Sequence, residues 1–280
     1  MKNLLTVAFV ALASVGHASS LEEIRERGYM TIATEDSYAP FEIIDGGEPT
    51  GFTHDMVAAM REYADFEIRQ EILPWTGLLA AVAAGQYDAA ITGSIVTVER
   101  LGPFEFAPPT AAATHYYIKR AGDDRITSIA DLDGMTLGVQ AGSALLTRLP
   151  ELEEMLAETG GSIGPIVEYV SYPEAYEDLA NGRTDYVINS VIGAQALVRE
   201  RGDVFEMGEP VSGPGFHAWP VQRGNESLLM FLTEFVDHMR ETGELAALQE
   251  KWFGQAFPDL PTTPIRSVEE FQALSTPSGM

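Results

Sequence analysis

Apolar and polar positions alternate between two periods along the chain, which predicts a succession of strands and helices. Phe66, Ile68 and Ile72 are separated by charged residues, the two-residue period of a half-buried strand. Residues 55–64 instead carry apolar side chains at the spacing of one helix face. The predicted strands cover 29–34, 66–72, 87–92, 135–140, 166–171 and 186–189. The predicted helices cover 55–64, 76–85, 142–155, 173–182, 191–200, 225–243 and 244–253. Such alternation is typical of an α/β architecture in which helices cover the sheets.

A short internal echo indicates two related halves. Residues 83–91 match residues 180–188 at Ala, Gly, Asp and Ile, and each copy reads as a helix end, a glycine cap and a buried strand. Gly93 follows the first predicted strand, and Asn189 and Ser190 close the second. Since ligands of open α/β sheets sit beyond the carboxyl ends of strands, two such ends facing each other predict a cleft.

Length and charge limit the classes of function. A chain of 280 residues is longer than a single hydrophobic core usually organises, and its length suits two lobes. The net charge of −25 disfavours nucleic acid and anionic membranes as partners and favours a monomer through self-repulsion. The sequence has no cysteine, which excludes disulfides and thiolate chemistry. His54, His115, His217 and His238 have no metal-ligand spacing, so neither a metal nor a cofactor is expected.

The N-terminal residues are typical of a secretory signal peptide. Lys2 supplies a positive charge, residues 4–15 are apolar, and small residues at 16 and 18 suit cleavage after Ala18. The apolar run is shorter than the roughly 20 residues that a membrane helix needs. The sequence therefore predicts export to the periplasm with removal of residues 1–18.

An ordered set of short motifs resembles the family 3 solute-binding proteins, the periplasmic receptors for polar amino acids that serve ABC importers. No single motif is specific, but together they cover about residues 21–260 in the family's order. The motifs are Tyr38-Ala39-Pro40-Phe41, Gly51-Phe52 with Asp55, Trp75 through Leu79, Gly85-Gln86-Tyr87-Asp88, Thr97-Val98-Glu99-Arg100, Leu132-Asp133-Gly134 followed by Val139-Gln140, Gly182-Arg183-Thr184-Asp185 and Trp252-Phe253-Gly254.

The resemblance implies the type II periplasmic-binding-protein fold, in which two α/β lobes close over a ligand by a hinge. The first lobe is expected to comprise residues 19–112 and 211–257, with the second lobe, 113–210, inserted in it. Residues 258–280 are expected to form a surface tail.

The resemblance also implies a ligand site in the first lobe. Arg100 is expected to fork onto a ligand carboxylate, since a guanidinium offers two parallel donors. Tyr38 and Trp75 occupy the positions of two rings that sandwich the ligand in the family. Gly93 and Thr97 are expected beside Arg100.

The second lobe departs from the family pattern at one position. Gly142 and Ser143 are expected to open a helix whose N–H groups face the ligand carboxylate. Glu35, in the first lobe, is expected to receive a ligand cation. Where the family usually has an Asp for the α-ammonium, this chain has Ser190, preceded by Asn189. A hydroxyl brings no charge, which favours a betaine, an ectoine-like compound or an imino acid over primary amino acids.

Two alternatives use the same scaffold. The chain could serve a sensory receptor instead of a permease, and the sequence does not separate these two. Cyclohexadienyl dehydratases resemble these binding proteins but need a general acid in the cleft. Glu35 is the one first-lobe candidate, and no second acid or base accompanies it, so binding without catalysis is the favoured interpretation and no catalytic residue is expected.

Overall fold

The computed structural model describes residues 18–275, so the predicted signal segment lies almost wholly outside the described residues. The helices are α1 (Leu21–Arg27), α2 (Phe52–Tyr63), α3 (Leu78–Ala83), α4 (Leu149–Ala157), α5 (Tyr172–Ala180), α6 (Val191–Arg201), α7 (Glu226–Glu241), α8 (Glu244–Phe253) and α9 (Val268–Ser275). The strands are β1 (Tyr29–Glu35), β2 (Ile43–Asp45), β3 (Glu48–Thr50), β4 (Glu67–Leu73), β5 (Ala89–Ala90), β6 (Phe104–Phe106), β7 (Ala111–Ala112), β8 (His115–Arg120), β9 (Leu137–Gln140), β10 (Ile166–Tyr169), β11 (Tyr186–Ser190), β12 (Phe205–Pro210), β13 (Phe216–His217) and β14 (Pro220–Gln222). The predicted alternation of strand and helix is confirmed.

Two five-stranded sheets share one topology. The first has the order β4-β1-β5-β14-β6 and the second β10-β9-β11-β8-β12. In each sheet three parallel strands are followed by two strands in antiparallel pairing. We call the half built on the first sheet lobe 1 and the half built on the second lobe 2. The expected α/β fold with two lobes is therefore confirmed.

The chain passes between the sheets twice, through a two-stranded ribbon. β7 leads from lobe 1 into lobe 2 and β13 leads back, and the two strands pair at Ala112 with Phe216 and at Ala111 with His217. Arg199 of α6, in lobe 2, donates to the carbonyl oxygens of Phe253 (2.8 Å) and Trp252 (3.2 Å) at the end of α8, in lobe 1. A cation there faces the negative end of the helix, so this contact stabilises the packing of lobe 2 on lobe 1.

The echo in the sequence corresponds to equivalent turns in the two lobes. Gly85 and Gly182 follow α3 and α5 in the left-handed conformation, with φ of 71° and 73°. Three residues later, the Asp88 carboxylate accepts from the backbone N–H of Thr31 at 2.7 Å. The Asp185 carboxylate accepts from the N–H of Thr136 at 3.0 Å. Each Asp thus ties the loop after a helix to the neighbouring parallel strand.

Two expectations differ from the structure. No single helix starts at Gly142: residues Ala144–Thr147 form a 3₁₀ turn, and α4 begins at Leu149. Pro150 explains the break, because its ring clashes with the carbonyl four residues earlier and is tolerated only in the first turn of a helix.

The expected surface tail is also wrong for the described residues after 257. Ile265 is fully buried and exchanges two backbone hydrogen bonds with Phe106 of β6, both 3.0 Å. α9 follows, and its Phe271 enters the lobe 1 core. Within residues 18–275, no helix combines the length and the apolar character that crossing a membrane requires.

The two equivalent aspartates should differ in their contribution to stability. Asp88 is 3% exposed and pairs with Arg27, whereas the Asp185 side chain is 25% exposed. We expect Asp88→Ala to lower the free energy of unfolding by about 3 kcal/mol, because it leaves a buried N–H and a cation unpaired. Asp185→Ala should cost about 1 kcal/mol. Urea unfolding followed by circular dichroism measures both, with Asp45→Ala as the exposed control, and equal costs would contradict this ranking.

Candidate functional site

A cavity of about 300 Å³, counted to its mouth, lies between the lobes. It brings together six residues that the sequence predicts for the site: Glu35, Tyr38, Trp75, Gly93, Arg100 and Ser143. Six further residues in its wall were not predicted: Ser94, Ile95, His115, Gln140, Ala144 and Tyr172. This volume includes solvent-open space at the mouth, and the enclosed part between the walls is much smaller.

Arg100 reaches from lobe 1 across the mouth of the cavity. Its Nη1 donates to the carbonyl of Ile95 at 2.7 Å and its Nη2 to the carbonyl of Gly142, in lobe 2, at 3.1 Å. Its backbone N–H donates to Thr97 Oγ1 at 3.2 Å, which fixes the turn that carries it. Burial lowers the pKa of Arg100 to about 10, so the side chain stays a cation at neutral pH.

Trp75 completes this corner of the cavity. The guanidinium carbon of Arg100 lies 5.0 Å from the centre of a Trp75 ring, within the range of a cation–π contact. The indole Nε1 donates to the same Gly142 carbonyl at 3.2 Å. Gly142 has φ of 69°, which favours glycine, and this turn aims its carbonyl at both donors.

Glu35 is the acidic residue of the cavity wall. It lies at the end of β1, is 2% exposed, and accepts from Gln140 Nε2 of lobe 2 at 2.8 Å. Burial, with a contribution from Asp36, raises the pKa of Glu35 to about 8. A buried carboxyl group that is largely protonated at neutral pH therefore lies in the same cavity as the Arg100 cation.

Tyr38 connects the cavity to the end of β11. Its hydroxyl lies 2.9 Å from Ser190 Oγ and donates to Asn189 Oδ1 at 3.1 Å. Ser190 Oγ also accepts from the N–H of Gly193, in the first turn of α6. Asn189 and Ser190 are therefore near Tyr38, as the cleft prediction requires, but they lie behind it and do not form the cavity wall.

The remaining predicted residues have positioning roles. Gly93 lies under the rings of Tyr38 and Phe41, where an added Cβ would come within 2.5 Å of the Tyr38 ring. Thr97 lies outside the cavity wall and acts through the Arg100 turn. Ser143 lies in the wall, but it opens a four-residue 3₁₀ turn, so the expected contribution of a long helix dipole is absent.

Burial holds three further ionisable residues neutral: His115 and His217, to which the sequence assigned no role, and Glu42, which it did not single out. The pKa of His115 is lowered well below its usual value, and that of His217 to about 3. Glu42 is 1% exposed, accepts from the N–H of Gly93, and has its pKa raised well above the usual range. The periodicity of the chain carries no signal for these positions, because they lie at strand ends and in loops. Among residues 18–275, no three His, Asp or Glu side chains converge as metal ligands.

The chain matches a known family over most of its length. The family model of the bacterial extracellular solute-binding proteins, family 3, matches residues 30–255. The L-cystine-binding protein TcyJ of Escherichia coli strain K12 is 27% identical over 254 residues, which cover 89% of this chain and 91% of TcyJ.

Solved structures agree with the fold. An ancestral arginine-binding protein bound to glutamine is 28% identical, with a TM-score of 0.71 over 82% of this chain and 99% of that chain. The ancestral amino acid-binding protein AncCDT-1, described as a precursor of cyclohexadienyl dehydratase, is 24% identical, with a TM-score of 0.73 over 83% of this chain and 99% of that chain. The second likeness, at 24% identity, concerns the fold alone.

The buried carboxyl of Glu35 should make stability depend on pH. Because its pKa is raised from 4.5 to about 8, the folded state keeps a proton that the unfolded chain loses across this range. The contribution of Glu35 to the free energy of unfolding is therefore fully present below pH 4.5 and is lost as the pH rises to about 8. We expect Glu35→Gln to remove up to about 1.4 kcal/mol per pH unit of this slope. Thermal unfolding at several pH values measures it; Glu48→Gln, at an exposed position, is the control, and an unchanged slope in Glu35→Gln would show that the carboxyl is not buried neutral.

Proposed function

The chain belongs to the bacterial extracellular solute-binding proteins, family 3, and on this premise we propose that it captures a small zwitterion in the cleft and delivers it to an ABC importer from the periplasm. The observation that carries the proposal is the Arg100 guanidinium at the wall of a closed cavity between two lobes. It offers a carboxylate a fixed cation in a site largely shielded from water. Relatives named for cystine and arginine binding support an amino acid or a derivative as the ligand.

Glu35 supplies the second charge of the site. A ligand cation that reaches Glu35 ionises it, since a nearby positive charge favours the carboxylate. Asn189 and Ser190 bear no charge, and Tyr38 separates Ser190 from the cavity. A zwitterion is therefore held with its carboxylate at Arg100 and its nitrogen toward Glu35, both in lobe 1. Ligands with methylated or ring-bound nitrogen, such as betaines, ectoines and imino acids, suit this arrangement because they do not need a second-lobe acid.

A thermal-shift panel tests the capture of a zwitterion. The panel contains glycine betaine, ectoine, L-proline, L-alanine, L-arginine and L-lactate, the last being a nitrogen-free analogue of alanine. A ligand at about 1,000 times its Kd stabilises by about 4 kcal/mol, and at least one zwitterion should raise the midpoint accordingly. Arg100→Ala should abolish that shift, whereas Arg69→Ala, at an exposed ion pair on β4, should keep it. A shift that survives in Arg100→Ala would remove Arg100 from the site.

The protonation of Glu35 separates zwitterions from simple carboxylates. Binding of a zwitterion near pH 7 should release close to one proton, because Glu35 must ionise. Titration calorimetry in buffers of different ionisation enthalpy measures this number. Glu35→Gln should abolish the release and weaken zwitterions more than L-lactate. Zwitterion binding without proton release would place the ligand nitrogen elsewhere.

A dehydratase is the second candidate function. A carboxyl group protonated at neutral pH is what a general acid requires, and Glu35 meets this condition inside the cavity. Incubation with prephenate or arogenate tests it: turnover that Glu35→Gln abolishes supports an enzyme, and its absence with ligand binding intact supports a binding protein.

A further inference from the structure

Four aromatic rings form a continuous stack that crosses from one lobe to the other. Phe41 and Tyr38 of lobe 1 lie 5.3 Å apart between centroids, Tyr38 and Tyr172 5.5 Å, and Tyr172 and Tyr176 5.8 Å. The interplanar angles of 16°, 22° and 27° make each contact a stacked pair. Tyr172 opens α5 and is 5% exposed, so lobe closure seats its ring against Tyr38.

Tyr38 and Tyr172 separate two spaces in the cleft. Both residues form the wall of the ligand cavity of about 300 Å³. Both also form the wall of a second space of about 670 Å³, together with Tyr176, Glu177 and Asn189. The two rings are therefore the partition between a small site next to Arg100 and a larger chamber beyond.

The partition is held differently on its two sides. The Tyr38 hydroxyl donates to Asn189 Oδ1 and accepts from the Ser190 hydroxyl, which fixes Tyr38, and Asn189 Nδ2 donates to the Tyr176 hydroxyl at 2.6 Å. Tyr172 is held mainly by stacking on Tyr38 and Tyr176. The nearby Ser143 Oγ makes no well-formed hydrogen bond. Burial raises the pKa of the Tyr172 hydroxyl well above its usual value, and Ser143 opposes this rise only in part. The side chain at 172 can thus change without removing a hydrogen bond of the Tyr38 anchor.

We propose that Tyr172 is a specificity-determining residue that limits the ligand to a short molecule anchored at Arg100. This inference rests on the proposed function. A ligand with a long side chain needs room beyond the small cavity, and the Tyr172 ring occupies the way into the larger chamber. Removing the ring joins the two spaces and admits longer ligands, while short ligands lose a contact surface.

Length preference, measured in two ligand series, tests the inference. One series is L-alanine, L-norvaline and L-arginine, and the other is glycine betaine and carnitine. In the wild-type protein the short member of the bound series should bind more tightly. Tyr172→Ala should shift the ratio of Kd values toward the long member by about tenfold or more, the scale on which pocket size discriminates. Should Tyr172→Ala fold poorly, Tyr172→Leu, which keeps an apolar side chain, should shift the ratio in the same direction.

Two control variants make the result specific. Tyr172→Phe keeps the ring and should keep the wild-type ratio. Tyr63→Ala removes an aromatic ring that packs on Phe231 and Phe235 and lines neither space, so it should lower the unfolding midpoint without shifting the ratio. Equal binding of short and long ligands by the wild type, or an unchanged ratio in Tyr172→Ala and Tyr172→Leu, overturns the inference while the proposed function stands. Failure of every probe to bind any variant overturns both.

Discussion

The electrostatics of the cleft depend on one cation that belongs to lobe 1 and bonds to both lobes. Arg100 donates to the carbonyls of Ile95 and Gly142, and Trp75 donates to the same Gly142 oxygen. Both Arg100 nitrogens donate to backbone carbonyls, which are neutral. The positive charge of Arg100 therefore has no counter-ion in direct contact. In a chain with a net charge of −25, we expect this local field to attract a carboxylate to a site that the surface as a whole would repel.

Burial keeps the other ionisable side chains in and around the cavity uncharged near neutral pH. His115 and His217 are kept uncharged, and Glu35 keeps its proton near neutral pH. Gln140 from lobe 2 donates to Glu35. The site therefore has one permanent charge and one charge that a ligand can induce. From this arrangement we expect binding of a cationic group to be linked to proton loss from Glu35.

Much of the fold could be predicted from the sequence because it depends on local pattern. The two periods predicted six of the fourteen strands and seven of the nine helices of the described residues, and the echo around Asp88 and Asp185 corresponds to equivalent turns. Arg100, Glu35 and Trp75 could be placed in the cleft because each follows a recognisable motif or strand end. Tyr172 could not, because it reaches the cavity through contact with Tyr38, which lies far away in the sequence and belongs to the other lobe. Pro150 indicates that α4 starts near it, but the apolar spacing of residues 142–155 alone predicted one continuous helix.

The decisive measurement is a crystal structure of the protein with the panel ligand that gives the largest thermal shift. We predict that the ligand carboxylate lies within hydrogen-bond distance of the Arg100 guanidinium, that its nitrogen faces Glu35, and that Tyr172 closes the small cavity against Tyr38. A carboxylate bound away from Arg100, or a nitrogen held by Asn189 and Ser190 with Glu35 uninvolved, would contradict it.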